Sequence, residues 1–260
     1  MVLVAIDIRK TVEENAACYF ELAKKAKRKL AGIDETLRRF RDELVQVEQK
    51  KELAALEEKK KQAKVVRKKE WYEKFHWFIS SEGFLCIGGR DAISNEVIVK
   101  KHTDKNDFVF HTEAPGSPFF VIKTEGKKPG EATLQETAQA TAAYSRAWKS
   151  GIVADVYWIL PEQVSKKAMS GEYMPRGAFM IYGKRNYVRT PMTAAVGVLQ
   201  DGRVMGGPAD AVKNQCGKYV TVLQGDEKSS SAAKKIAKKL GTEDIDAIVA
   251  ALPVGGVSIK

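Results

Sequence analysis

Six aromatic side chains stand within fourteen positions: Trp71, Tyr72, Phe75, Trp77, Phe78 and Phe84. No other part of the chain is as dense in them. Such side chains each bury a large area, so this stretch must lie in a core, and the rest of the fold has to supply the surfaces that cover it. Phe84-Leu85-Cys86-Ile87 follows as an apolar run of strand length, ending in Gly88-Gly89, where the chain turns without a Cβ penalty. Arg90-Asp91 comes next, with Asp91 placed to cap a helix. The chain before this stretch reads as a helical arm and the chain after it as a folded α+β body.

Composition narrows the function classes. The 260 residues carry a net charge of +11 and a pI near 9.4, which favours a polyanionic partner, nucleic acid first. A hydrophobic content of 44% fits a globular chain with a real core. No apolar run has the length of a membrane span, and the opening VLVAI is too short for a signal sequence. Cys18, Cys86 and Cys216 are odd in number and far apart, so neither a disulfide framework nor a zinc site is expected, and the compartment is reducing and cytoplasmic. His76, His102 and His111 add no metal-ligand spacing, and no cofactor is implied.

Residues 1–70 form the arm. Thr11 and Glu14 fit a capping box, and Ala16, Tyr19, Phe20 and Ala23 share a helix face. Gly32 is a place to kink or stop. From Ile33 the apolar positions Leu37, Phe40, Leu44 and Val47 alternate four and three apart, the spacing of a coiled-coil seam. Continuing that phase places Lys51 and Glu58 in the seam, while Leu53, Leu56, Lys60 and Ala63 follow a second phase. The break predicts a helical hairpin with its tip near residues 48–53.

The body, residues 71–190, predicts a mixed β-sheet covered by helices. Residues 91–102 fit a helix capped by Asp91 or a strand centred on Val97-Ile98-Val99, and the cap favours the helix. Strands are expected over 107–111, 119–123, 153–160 and 177–182. A helix is expected over 134–149, with Thr133 and Glu136 as its capping box, Leu134, Ala138, Thr141, Ala142, Ser145 and Trp148 on its inner face, and Gly151 as its stop. The tail, residues 191–260, predicts a small second α+β module. It holds strands at 194–199 and 218–223, a helix from Ser229 to Leu240 with Lys234, Lys235, Lys238 and Lys239 outward, and a last helix capped by Thr242.

Several strings together resemble the NFACT family: ENAACYFELAKKAKRKL, WYEKFHWFISSEGFLCIGGRDAISNE, FVFHTEAPGSPFFVIK, AYSRAWKSG and VYWILPEQVSKKAMSGEYMPRGAFMIYGKRNY. Residues 71–190 resemble its RNA-binding domain, 11–69 a shortened form of its coiled-coil arm, and 193–260, more loosely, its C-terminal module. The resemblance implies ribosome-associated quality control. Its members bind large ribosomal subunits obstructed by peptidyl-tRNA, recruit tRNA and promote template-free C-terminal tailing. Expected partners are therefore rRNA of the large subunit, tRNA, a ribosomal protein docked on the arm, and the family's N-terminal domain, which has no counterpart in this sequence. That domain carries the acidic–basic pair tied to tailing, so no such residue is carried over.

In the matching strings Arg90, Lys166, Lys167, Lys184 and Arg185 are candidates for phosphate contact, and His111, Tyr173 and Tyr187 for stacking on unpaired bases. Asp91, Asn95, Ser117, Arg146 and Asn186 complete the candidate set. Asp91 has the competing role of a helix cap, and His111 that of a core residue. Lys184 and Arg185 are expected to be dispensable for stability unless tied to a carboxylate such as Glu172. An enzymatic reading rests on Asp91, Glu96 and Lys100, residue types that would suit a metal-dependent nuclease, but the spacing is generic. Nucleotide-binding loops, a nucleophile elbow and H-E-x-x-H are all lacking, so a binding protein is expected.

Overall fold

The computed structural model describes residues 3–63, 69–151, 155–166 and 177–260, with the side chains of residue 49 and of residues 52–63 outside that set. Residues 1–68 and 69–260 form two compact units. In the first, helix α1 runs unbroken over Val12–Ala63. Its start is the expected reciprocal cap: Thr11 Oγ1 accepts from Glu14 N at 3.2 Å while Glu14 Oε2 accepts from Thr11 N at 2.9 Å.

The hairpin expected near residues 48–53 is not formed, and Gly32 does not stop the helix either. Residues 48–53 read Glu-Gln-Lys-Lys-Glu-Leu, all good helix formers, with no Gly, Pro or Asn to turn the backbone. A slip of seam phase changes which face is apolar; it does not by itself break the hydrogen-bond ladder.

The second unit begins with the aromatic stretch. Strands β1 (His76–Ile79) and β2 (Leu85–Gly88) form a hairpin, and Asp91 then caps helix α2 (Ala92–Lys101), as its sequence signal required. Strands β3 (Phe108–Thr112) and β4 (Phe120–Lys123) follow, then helices α3 (Glu131–Ala143) and α4 (Ala147–Ser150) and strand β5 (Val156–Ile159). The short strands β6 (Val164–Ser165) and β7 (Met180–Ile181) pair with each other, and β8 (Asn186–Val188) returns to the main sheet. That sheet has the order β1-β2-β4-β3-β5-β8. The crossover through α3 joins β4 to β5, which point the same way, but β3 lies between them, so every neighbouring pair in the expected mixed sheet is antiparallel.

Three local expectations change. The helix predicted over 134–149 begins at Glu131, ends at Ala143 and resumes as α4, closed by Gly151 in the left-handed region (φ 72°). Thr133 and Glu136 do not cap each other. Glu82, on the β1–β2 turn, accepts from Gly130 N and Thr133 N, both at 3.1 Å, and from the Thr133 hydroxyl, while Glu136 accepts from Ser81 N at 2.9 Å. A distant carboxylate thus replaces the local box. The strand expected over 177–182 shrinks to the two residues of β7, outside the main sheet.

Along each strand alternate side chains take opposite faces. One face, with Phe78, Cys86, Phe110 and Phe120, meets α3, where Cys86 Sγ lies 3.4 Å from Thr137 Oγ1. The other face carries Ile87, Val121, Val109 and Ile159 in its interior and His111, Tyr157 and Tyr187 toward the β8 edge.

The tail builds a second sheet of order β10-β9-β11-β12 from β9 (Ala194–Val198), β10 (Val204–Gly207), β11 (Lys218–Glu227) and β12 (Val257–Ile259). Helices α5 (Ala209–Gln215), α6 (Ser229–Leu240) and α7 (Ile245–Ala251) pack on it. Ile236, Ala237 and Leu240 of α6 are buried and its four lysines are exposed, as the pattern predicted. The cap of α7 is Asp244, accepting from Ala247 N at 3.0 Å, and not Thr242, whose hydroxyl accepts from Asp244 N. Tail and body share packing: Tyr144 donates to Ala251 O at 2.7 Å, Trp148 Nε1 to Gly256 O at 3.0 Å, and Met205 joins the core of Phe78 and Phe120. Among the described residues no helix is long and apolar enough to cross a membrane.

Candidate nucleic-acid interface

The register of β3, β5 and β8 sets three side chains side by side. His111 faces Tyr157, and Tyr157 faces Tyr187. Phe119, just before β4, extends the row and stacks on His111 with ring centroids 4.3 Å apart. The row runs from interior to solvent: Phe119 and Tyr157 are buried, whereas Tyr187 is 60% exposed. Burial pushes His111 down to about 4 and the Tyr157 phenol up to about 12, so His111 is neutral at physiological pH. Its Nδ1 is fully enclosed and has no hydrogen-bond partner among the described residues.

Charge sits on the outer end of the row. Arg185 lies over the Tyr157 ring at 4.9 Å and forks onto Glu113, with Nη1 at 2.6 and 2.7 Å from the two carboxylate oxygens. Tyr187 donates its hydroxyl to the same carboxylate. That bond and the guanidinium hold Glu113 below the usual carboxylate range, and the carboxylate in turn raises Arg185 and the Tyr187 phenol. Lys184 is exposed at the tip of the preceding loop, where its backbone carbonyl accepts from Gln163 Nε2 at 3.0 Å. Asn186 reaches back to Trp158 O at 3.4 Å.

The remaining candidates sit away from this edge or are engaged in the fold. Asp91 is the α2 cap, bonded to Ser94 N at 2.7 Å. Asn95 is buried and ties α2 to the chain before β4, donating to Ser117 O at 3.4 Å and accepting from Phe119 N at 3.0 Å. A Cβ on Gly89 would stand 1.9 Å from Asn95 Oδ1, so glycine there lets the helix close on the sheet. Ser117 is buried too. Arg90 turns its guanidinium back to Phe75 O at 3.0 Å. Arg146 is exposed, and its stem lies over Gly116, which takes φ 88° to make room. Lys166 bonds Glu96 at 3.2 Å and Ala178 O at 3.3 Å and covers the Phe179 ring at 4.9 Å. Lys167, Tyr173 and Glu172 lie outside the described residues.

The nuclease arrangement does not assemble around Asp91, Glu96 and Lys100. Asp91 is spent on its cap, and Glu96 lies between Lys100 at 2.7 Å and Lys166 at 3.2 Å, whose hydrogen bonds hold it down to about 2. Among the described residues no three His, Cys, Asp or Glu side chains are grouped to hold a metal ion. Sequence reasoning missed Glu113 and Tyr157. Glu113 lay in a quoted string and Tyr157 in an expected strand, but only the strand register reveals that they meet.

Residues 74–183 match the model of the NFACT protein RNA-binding domain, which takes in β1 to β7 and so most of the row. The archaeal Rqc2 homolog aRqcH of Methanocaldococcus jannaschii is 45% identical over 204 residues, covering 75% of this chain and 30% of its own length. The chain belongs to the NFACT family. The human ribosome quality control complex subunit NEMF is 43% identical over 123 residues, 47% of this chain and 11% of NEMF. The Rqc2 homolog RqcH of Bacillus subtilis is 25% identical over 171 residues, 58% of this chain and 30% of RqcH. The chain therefore spans less than a third of the length of these NFACT relatives.

Proposed function

We propose that this chain is the RNA-contacting part of a ribosome-associated quality control factor, and that it meets RNA along the β8 edge. The match of residues 74–183 to an RNA-binding domain carries the reading. The half-exposed row supports its location: Tyr187 offers a face for an unpaired base, and Lys184 beside it a cation for phosphate. In this reading, which its NFACT membership supports, the chain acts on large ribosomal subunits obstructed by peptidyl-tRNA and supports tRNA recruitment for C-terminal tailing. The family's N-terminal domain supplies the remaining machinery, and the arm reaches a ribosomal protein. The engagement of Asp91 as a cap and of Glu96 in ion pairs supports a binding role over the nuclease reading.

The test is binding of the full chain to purified large subunits and to a structured RNA across a salt series. Tyr187→Ala should weaken binding at every salt concentration without changing the salt slope, since stacking releases no counterions. Unaltered affinity in a folded Tyr187→Ala variant would take the β8 edge out of the interface.

A further inference from the structure

Strand β2 leaves the sheet before its ladder with β4 is finished. The paired residues end at Gly88 opposite Phe120, and one further bond forms, from Gly89 N to Phe119 O at 3.2 Å. In an antiparallel pair the matching bond runs back from Phe119 N to the Gly89 carbonyl. Here Asn95 Oδ1, one turn into α2, accepts from Phe119 N at 3.0 Å in its place. On the other side of β4 the ladder with β3 stops at Phe110 opposite Phe120, one residue short of His111 and Phe119. The connection between β3 and β4 has little backbone bonding to offer, since Pro115 and Pro118 lack N–H groups. The buried Asn95 amide holds its end, donating to Ser117 O at 3.4 Å as well.

Phe119 is also the inner end of a continuous row of rings. It stacks on His111 at 4.3 Å, His111 lies 6.3 Å from Tyr157, and Tyr157 meets Tyr187 edge to face at 5.8 Å. A second contact converges on His111. Burial pushes its imidazole down, and the Ser117 carbonyl that Asn95 holds pulls it partly back. One amide on α2 thus fixes both the ring and the carbonyl against which His111 rests. We infer that Asn95 is a positioning residue for the RNA edge: by completing the β2–β4 ladder from α2 it sets Phe119 and, through the row of rings, the angle at which Tyr187 meets a base. The inference rests on the β8-edge reading and needs no contact between Asn95 and RNA.

The experiment is a double-mutant cycle in the full chain. Affinity for a fluorescein-labelled RNA hairpin with an unpaired loop is measured for the parent, Asn95→Ala, Tyr187→Ala and the double variant, at one salt concentration and well below every melting temperature. Asn95→Ser, which keeps one hydrogen-bonding atom, takes the place of Asn95→Ala if that variant does not fold. Independent effects multiply, whereas effects that pass through a shared row do not. Asn95→Ala is expected to weaken binding at least about threefold in the parent, and by less than about 1.5-fold once the Tyr187 ring is gone. The second readout is the imidazole titration of His111 by NMR, which should move from about 4 toward 6.5 in Asn95→Ala as the row loosens. No loss of affinity in the parent background, an equal loss in both backgrounds, or a parent-like His111 titration would each overturn the inference and leave the β8 edge standing. Unaltered binding in folded Tyr187→Ala overturns the β8-edge reading, and this inference with it.

Discussion

Lys184 and Arg185 are adjacent cations that the structure puts to different uses, so their single replacements should separate two properties. Lys184 is exposed, and its ammonium has no partner among the described residues; Lys184→Ala should move stability by no more than about 0.5 kcal/mol. If it meets a phosphate, the slope of log affinity against log salt flattens by roughly 0.7–0.9, so between 50 and 200 mM salt the variant loses about threefold less affinity than the parent. Arg185→Ala removes a forked ion pair that is about one-third exposed, worth up to about 1 kcal/mol, and a cation–ring contact worth about 0.5–1 kcal/mol. For a unit of this size that lowers Tm by roughly 1–8 °C.

Glu113→Gln supplies the control. It frees the guanidinium from its carboxylate, so any latent phosphate contact of Arg185 would show as a steeper slope. The assays are thermal melts and filter binding at three or four salt concentrations. The division of labour fails if Lys184→Ala leaves the slope unaltered, or if Arg185→Ala flattens the slope at an unchanged Tm.

Two further outcomes concern the scaffold. Glu82→Ala deletes the carboxylate that caps α3 from the β1–β2 turn and should cost about 1–2 kcal/mol. Because the Thr133 hydroxyl and backbone bonds hold Glu82 below its usual 4.5, its contribution is present above that pH and is lost as pH falls through the lowered folded value; melts taken at successively lower pH should show the gap between variant and parent shrink. His76 and His111 are buried neutral, at about 3 and about 4 against 6.5 in the unfolded chain. The unfolded state takes up protons first, so stability falls as pH drops below 6.5, by about 2 kcal/mol per histidine at pH 5. Urea unfolding at pH 7 and pH 5 should show the drop, and His111→Phe should shrink it; an equal drop in the variant would mean that His111 is not kept neutral by burial.

What could be read from the sequence was whatever depends on neighbours along the chain. The Thr11–Glu14 box, the Asp91 cap of α2 and the lysine strip of α6 all follow from spacing. The α3 cap could not, because Glu82 lies about fifty residues before the amides it serves. Strand β8 was missed because three residues after a Gly-Lys-Arg loop give no period to detect. The arm failed for another reason: a change of seam phase was treated as a turn where the residues that make turns are lacking. Of the interface, His111, Arg185 and Tyr187 were picked out by type, but their common contact with Tyr157 or Glu113 depends on a register that no local pattern encodes.

Net charge and interface do not coincide, and that shapes how binding data should be read. Residues 1–68 hold 18 Lys and Arg against 12 Asp and Glu, and the remaining residues hold 26 against 21. More than half of the excess charge thus lies on a quarter of the chain, outside the stretch that matches the RNA-binding domain. Long-range attraction to a polyanion scales with that excess and is blind to which strand edge is presented. Positioning a nucleotide requires side chains whose conformations are already set. In the β3–β5–β8 row buried Phe119 fixes His111 from one side and buried Tyr157 carries Arg185, while Glu113 at the rim holds Tyr187 by its hydroxyl. The described residues among those singled out in the sequence therefore divide by exposure. His111, Asn95, Ser117 and Arg185 keep the scaffold in shape, and in the proposed interface Lys184 with the exposed ring of Tyr187 is what the edge offers.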